Sequence, residues 1–243
     1  MITNRLRRIG TRASLALAAF AMSLQGAPIV FNATGTNSAS GNALSASASF
    51  DIVGTTLTLV LTNNNAVSVP SDVLIALFWD MGTNTTVLTG FDADVSAGST
   101  PSGQDLDATG GNGEWKYAAN AAGLAGVTQH YGVGTAGLGI FPGGGGQQFN
   151  WGLINGKSNA NPAVSGGTFI DNSATFTFTI PSNFTGTISN VRFQFGTALN
   201  EPSIICSTPE CTPNDDTPTP EPATFGAMGV AVVGLAAMLR KRG

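Results

Sequence analysis

The stretch SFDIVGTTLTLVLTN, Ser49–Asn63, carries the clearest structural pattern in the chain. Apolar residues alternate with polar or small neighbours through both of its halves: Phe50, Ile52, Leu57, Leu59 and Leu61. Because successive side chains of a β-strand point to opposite faces, this alternation is typical of a strand with one buried face. Gly54-Thr55 interrupts the pattern at the place where the chain must reverse. The stretch therefore predicts a β-hairpin.

Three further segments predict strands. DVLIALFWD (Asp72–Asp80) is a nearly continuous apolar run, short enough for a core strand, while SATFTFTI (Ser173–Ile180) and TISNVRFQFGT (Thr187–Thr197) alternate as the hairpin does. Glycine, asparagine and proline separate these segments, and no convincing amphipathic helix is present. The pattern predicts an all-β fold, a single β-sandwich or jelly-roll-like ectodomain with glycine-rich loops.

Residues 110–146 contain 13 glycines in 37 positions, and we expect them to form surface loops. Within them Gly132–Gly137 fits the G-x-G-x-x-G pattern, but no strand–helix–strand unit surrounds it and no acidic residue lies about 20 positions further on. Residues 152–158, GLINGKS, resemble a phosphate-binding loop that is one residue too short. We therefore predict no nucleotide site and no cofactor.

The distribution of charge excludes one class of partner. Four of the ten basic residues precede residue 13 and three follow residue 239, so three remain in between against all 14 acidic residues, a balance of −11. A body this acidic has no electrostatic attraction for nucleic acid or for an anionic membrane surface. Its 243 residues have room for one large domain or two small ones.

The first 26 residues predict an export signal. MITNRLRRIGTR is basic, the apolar stretch ASLALAAFAMSL follows, and small residues come next at Gly26 and Ala27. Twelve apolar residues are too few to span a bilayer, which needs about 20. We expect residues 1–26 to be a signal peptide recognised by the general secretion machinery.

A second hydrophobic segment lies near the C-terminus. Residues 223–239 are uncharged, roughly 25 Å long as a helix, and are followed by Arg240, Lys241 and Arg242. Basic residues stay on the cytoplasmic side of a membrane, so these three predict a cytoplasmic stop after a transmembrane helix. Both ends then place residues 28–222 outside the cytoplasm.

The tail carries a specific resemblance. Pro220, Glu221 and Pro222, the short apolar segment and the terminal basic cluster together resemble the PEP-CTERM sorting signal of proteins processed by exosortases in Gram-negative bacteria that make extracellular polysaccharide. The resemblance covers residues 217–243. It implies an inner-membrane-anchored precursor, cleavage near the motif by exosortase, and then release or transfer to the cell surface. In that case the three motif residues are recognised by another enzyme and perform no chemistry.

Between the predicted ectodomain (27–200) and the sorting signal (220–243), residues 201–219 form a proline-rich linker with a cysteine pair. Proline favours an extended, semi-rigid spacer. Cys206 and Cys211 are the only cysteines, and in an oxidising compartment such a pair favours a disulfide. A metal or redox pair would need further ligands or C-x-x-C spacing.

Few residues predict chemistry. His130 is the single histidine, and no nucleophile motif accompanies it. Two acidic pairs, Asp92/Asp94 and Asp105/Asp107, each have the spacing that puts both carboxylates on one face of a strand. Such pairs serve glycosidases or bind Ca²⁺, although solvated acidic loops are the commoner outcome. We predict no metal site and keep the four aspartates as weak calcium candidates.

Three functions remain open from the sequence. The first is a non-enzymatic surface or extracellular-matrix protein associated with extracellular polysaccharide and biofilm. The second is a carbohydrate- or calcium-binding surface module. Core packing is the commoner role for the tryptophans and is expected for Trp79, whereas Trp115, if exposed, is the plausible stacking platform. The third is a secreted polysaccharide hydrolase that uses the aspartates.

Overall fold

The computed structural model of the chain describes residues 27–107, 114–122, 126–139, 141 and 149–206. Strands dominate these residues, and the helical structure within them is a 3-10 turn at Pro70–Asp72 and a short helix, α1 (Pro162–Gly166). The strands are β1 (Ile29–Thr36), β2 (Ala43–Val53), β3 (Thr56–Asn63), β4 (Leu74–Met81), β5 (Thr89–Val95), β6 (Trp115–Ala118), β7 (Tyr131–Thr135), β8 (Leu153–Ile154), β9 (Ile170–Asp171), β10 (Ser173–Thr179), β11 (Ile188–Phe195) and β12 (Ser203–Cys206). The all-β prediction is confirmed.

The strands form two sheets. The first has the order β1-β2-β3-β10-β5, and the second has the order β12-β11-β4-β7-β6, with the short β8 and β9 attached to it through β4. The predicted hairpin is β2–β3, in which Val53 pairs with Thr56 across a two-residue turn. Gly54 occupies the first turn position at φ +61, a left-handed conformation that glycine adopts without steric cost.

One hydrophobic core takes side chains from both sheets. Phe50 of β2 lies 5.7 Å from Trp79 of β4, measured between ring centroids, and Trp115 of β6 lies 5.1 Å from Phe176 of β10. All four rings are essentially inaccessible to solvent. Burying one side chain of this size stabilises the folded protein by about 2–3 kcal/mol relative to leaving that side chain in water. The alternating residues that predicted the strands are therefore the ones that join the two sheets.

Strand β4 is buried on both faces, which explains its uninterrupted apolar sequence. Leu77 and Trp79 face the shared core, while Ile75 and Phe78 belong to a second hydrophobic cluster on the other side of the sheet. Phe141 completes that second cluster by stacking on Phe78 at 6.0 Å. A strand that is covered on both faces has a continuous run of apolar residues in its sequence, as β4 does.

The prediction of surface loops for residues 110–146 is wrong where the structure describes them. Two strands, β6 and β7, run through this stretch, and every residue of β7 is buried. Gly132 and Gly134 lie in β7, where an added Cβ would come within 2.5 Å of the Phe78 ring and 2.4 Å of the Phe141 ring. These glycines are therefore needed for aromatic packing, and they belong to no nucleotide-binding turn.

The sheet also continues beyond the boundary predicted at residue 200. Strand β12 pairs antiparallel with β11, from Ser203 opposite Gln194 to Cys206 opposite Val191. Pro202 lies before the first residue of β12, so its missing N–H removes no hydrogen bond from the pairing with β11. The first residues assigned to the linker are thus part of the second sheet.

Candidate functional site

The four candidate aspartates come together at one edge of the first sheet. Asp92 and Asp94 lie on β5 with their side chains exposed, while the alternate residues, Ala93 and Val95, are buried. Residues 104–107 run antiparallel along the free edge of β5, with Asp105 opposite Asp94. All four carboxylates therefore share the solvent-facing side of this edge.

Backbone hydrogen bonds and one buried side chain hold residues 104–107 in place. The Leu106 N–H donates to Ala93 O at 2.7 Å, and the Val95 N–H donates to Gln104 O at 3.0 Å. The Asp107 carboxylate accepts the Ala93 N–H at 2.7 Å. Because Leu106 is fully buried in the shared core, its two acidic neighbours must point outward.

The pKa values of several acids at this edge are raised. Burial is the largest cause that raises the pKa of Asp94, and the negative charges of Asp92, Asp105 and Asp107 raise it further. The pKa values of Asp107 and Glu114 are raised for the same two reasons, burial first and neighbouring carboxylates second. The positive charge of Lys116 lowers the pKa of Glu114, but by less than burial or Asp105 raises it. The edge is therefore a patch of net negative charge.

This patch is not arranged as a metal centre. Within the described residues, no group of three or more histidine, cysteine, aspartate or glutamate side chains could hold a metal ion. Residues 108–113, which follow Asp105 and Asp107 in the chain, lie outside the described part. The four aspartates stay weak calcium candidates without geometric support.

We predict that Asp94→Asn stabilises the protein slightly at pH 7. The folded-state pKa of Asp94 is above 3.8, so the folded state binds a proton more readily than the unfolded state does. Stability should therefore rise as the pH falls from neutrality through that raised pKa, and the gain is complete below pH 3.8. Water and salt screen an exposed carboxylate, so the effect is at most ~0.5 kcal/mol.

Urea unfolding of the wild type and Asp94→Asn at pH 7 and pH 4, in low salt, measures this effect. Asp51→Asn is the matched control, because Asp51 lies on β2 of the same sheet away from the cluster. When the pH is lowered from 7 to 4, Asp94→Asn should gain less stability than the wild type, whereas Asp51→Asn should gain as much as the wild type. A destabilised Asp94→Asn protein at pH 7 would contradict the electrostatic account.

The remaining candidate side chains have structural roles. Trp115 is fully buried and its indole N–H donates to Trp151 O at 2.9 Å, so it packs in the core, and the alternative of an exposed stacking platform is wrong. Trp79 is buried, as predicted. The half-buried His130 donates its backbone N–H to the Asp80 carboxylate at 2.9 Å, which ties β7 to the end of β4.

The buried carboxylate of Asp72 was not predicted from the sequence. This side chain is 3% exposed and accepts hydrogen bonds from six donors. The donors are Asn37 Nδ2 and Asn42 Nδ2 at 2.7 Å, Ser40 Oγ and the N–H groups of Ser68 and Val69 at 3.3 Å, and Ser68 Oγ at 3.4 Å. They fasten the β1–β2 turn to the segment that precedes β4. Dense Asn and Ser at 37–42 and 63–71 was the only sequence signal.

Two shallow clefts lie between surface loops, each at a different place on the body. One, of about 440 Å³, is lined by threonines, glycines and Phe184 from the β4–β5 and β10–β11 connections. The other, of about 450 Å³, is lined by asparagines, serines and alanines, among them Asn42 and Asn65. Neither cleft contains a carboxylate or an imidazole, so neither offers acid–base chemistry.

The predicted ends of the chain lie outside the described residues. This holds for the signal peptide at 1–26, for Cys211, and for the sorting residues Pro220, Glu221, Pro222, Arg240, Lys241 and Arg242. Cys206 is buried at the end of β12, and its disulfide with Cys211 stays a prediction. Among the described helices, none has the length and apolar character to cross a bilayer.

Comparison with known families identifies the C-terminal segment. Residues 218–242 match the family model of the PEP-CTERM protein-sorting motif. The chain carries a PEP-CTERM sorting motif. This confirms the resemblance seen in the tail, and the match includes Pro220-Glu221-Pro222 and all three terminal basic residues. No curated protein and no solved structure matched the chain.

The PEP-CTERM motif has direct consequences for how the protein is handled. It implies exosortase as the processing partner, export from the cytoplasm, and a membrane-anchored precursor that is then delivered to the surface. The motif covers 25 residues and says nothing about the chemistry of the two-sheet body.

Proposed function

We propose that this protein is an exported, non-enzymatic surface or extracellular-matrix protein that an exosortase cleaves at its PEP motif and that associates with extracellular polysaccharide in a biofilm. The observation that carries the proposal is the match of residues 218–242 to the PEP-CTERM protein-sorting motif. Residues 1–26 serve as the signal peptide for the secretion machinery, and residues 223–239 serve as a temporary transmembrane helix. The basic residues 240–242 stop the tail on the cytoplasmic side.

In this proposal the body is a single β-sandwich ectodomain. Support comes from the aromatic contacts that cross between the sheets, such as Phe50 with Trp79 and Trp115 with Phe176. Two sheets whose facing residues interdigitate in this way form the core of a sandwich. A rigid, two-layered body with few charges suits a protein that has a structural task outside the cell.

Three observations support a non-enzymatic role. The four edge aspartates lie on the solvent-facing side of β5 and of residues 104–107, while acid–base catalysis needs a site that shapes and desolvates its substrate. The imidazole-bearing residue, His130, packs against Tyr131, with ring centroids 4.6 Å apart. The two clefts described above contain neither an acid nor a histidine.

Fractionation of cells with and without the exosortase tests this function. In cells that have the exosortase and make the polysaccharide, we expect the protein in the surface and matrix fraction. We expect enzymatic digestion of the polysaccharide to release it. Without the exosortase, we expect it in the inner membrane. Recovery of the protein in the cytoplasm would contradict export. Polysaccharide hydrolysis by the purified protein that is lost in Asp92→Asn or Asp105→Asn would contradict the non-enzymatic assignment.

A further inference from the structure

The two lateral sides of the body have different strand edges. On one side, β5 ends the first sheet and β6 ends the second, and Phe91 stacks on Tyr117 between them at 6.0 Å. On the other side, β1 and β12 are the terminal strands, and Ile204 of β12 lies under Gly35 of β1. An edge strand exposes backbone hydrogen-bonding groups, and proteins usually block such edges.

The β5 edge is blocked in two ways. Three outward backbone groups of Ala93 and Val95 are already bonded, since Ala93 O accepts from Leu106, the Ala93 N–H donates to Asp107, and the Val95 N–H donates to Gln104. The four aspartates described above also place like charges along this edge. Another strand therefore finds the middle of this edge occupied and its surface charged.

The register shows which groups of β1 remain open. The two-residue turn makes Val53 and Thr56 a hydrogen-bonded pair, so the odd-numbered residues of β2 bond to β3 and the even-numbered ones bond to β1. Phe50, an even-numbered residue, pairs with Ile29, so the odd-numbered residues of β1 bond to β2. The backbone N–H and C=O groups of Val30, Asn32 and Thr34 therefore point outward. Among the described residues, no hydrogen bond reaches them.

The chemistry of β1 leaves this edge free for pairing. Its sequence, IVFNATGT, contains no charged residue and no proline, and its register with β2 runs through eight pairs without a bulge. Charge, proline and bulges are the usual devices that stop edge-to-edge association. The neighbouring β12, SIIC, also carries no charge. One side of the body is thus acidic and closed, and the other is neutral and open.

We propose that β1 is a docking edge for β1 of a second copy of this chain. Two β1 strands that run antiparallel offer each other the same donors and acceptors, because an antiparallel pair is related by a two-fold axis. The pair joins two five-stranded sheets into one continuous sheet across the dimer. A two-fold pair uses the β1 edge of both copies, so this contact does not extend beyond two copies. This self-association goes beyond sorting and surface delivery.

The dimer is expected to be weak. An eight-residue edge is a small contact compared with stable interfaces, which bury roughly 1,200–2,000 Å². The charges, which are concentrated at the other side of the body, do not oppose it. On a crowded cell surface, where the local concentration of the anchored or retained protein is high, a weak contact is sufficient to pair copies.

Sedimentation of the purified mature protein over a concentration series tests the proposal. Asn32→Pro removes one outward N–H from each copy and no bond to β2, so we expect the dimer dissociation constant to rise roughly 10- to 100-fold. Thr34→Lys places a charge on the same edge in both copies and should also favour the monomer. Ser47→Lys is the matched control, because Ser47 pairs with Asn32 and shares its solvent-facing side one strand further in.

Hydrogen exchange of the wild type provides a measurement that does not depend on the variants folding. The amide protons of Val30, Asn32 and Thr34 should become more protected as the concentration increases, while those of β5 should not change. A protein that stays monomeric up to about 1 mM, well above the range of specific contacts of useful strength, would overturn the proposal. So would protection at β1 that is independent of concentration, since another part of the same chain would then cover the edge, or a dimer unaffected by Asn32→Pro and Thr34→Lys.

Discussion

Replacing Pro220, Glu221 and Pro222 with alanine should abolish processing, so that the full-length precursor accumulates in the inner membrane and no shortened form reaches the surface. The motif residues lie within the segment matched by the PEP-CTERM model, and a processing enzyme that reads them gains its specificity from these side chains. The effect on the folded body should be negligible, since its last described strand ends at Cys206. Immunoblots of membrane and surface fractions measure the ratio of precursor to product.

The chain offers a close control for this experiment. Pro209, Glu210 and Pro213 are likewise two prolines and a glutamate, placed upstream of the matched segment. Their replacement with alanine should leave processing unchanged. If the Pro220–Pro222 variant were processed as efficiently as the wild type, recognition of this motif would be refuted.

Asp72→Ala should lower the free energy of unfolding by about 2–4 kcal/mol, because it leaves hydrogen-bond donors without an acceptor. The carboxylate is almost completely buried, and its removal leaves one N–H of the buried Asn37 amide and one N–H of the half-buried Asn42 amide without this acceptor. Unsatisfied buried donors cost about 1–3 kcal/mol each, although neighbouring groups recover part of this by relaxing. The turn between β1 and β2 would also lose its attachment to the segment before β4.

Urea denaturation measures this loss directly. Asp51→Ala is the matched control, because Asp51 is a β2 residue that makes no side-chain hydrogen bond among the described residues. It should change stability by no more than about 0.5 kcal/mol. Asp72→Asn keeps the shape of the side chain but gives up one acceptor oxygen, so it should fall between the two. A near-wild-type Asp72→Ala protein would show that the six contacts contribute little.

The strands that could be predicted were those whose side chains alternate. The β2–β3 hairpin, β10 and β11 each bury one face, so the apolar period of two is visible in the sequence. Strand β4 was predicted from its short apolar run. Strand β7, YGVGT, could not be found in this way, because the space beside Gly132 and Gly134 is filled by rings from distant segments. Only the folded core reveals why glycine is needed there.

The functional residues also differ in whether a local sequence pattern identifies them. The sorting tail could be predicted because another enzyme reads it as a linear segment, and its residues are adjacent in the chain. The aspartates of the β5 edge were found as two pairs, but their union depends on residues 104–107 pairing with β5. The role of Asp72 depends on partners up to 35 residues away, and no local pattern encodes such a contact. Trp115 was misplaced because its charged neighbours, Glu114 and Lys116, suggested exposure, whereas in a strand they occupy the opposite face.

Intact-mass spectrometry of the protein recovered from the cell surface tests the central claim most directly. The account predicts a mature chain that ends near Pro220-Glu221-Pro222 and contains no residue from 226 to 243. Modification of the new C-terminus is compatible with this result, because peptide mapping still locates the last residue. Surface protein that retains the intact tail through Arg240, Lys241 and Arg242 would contradict exosortase processing.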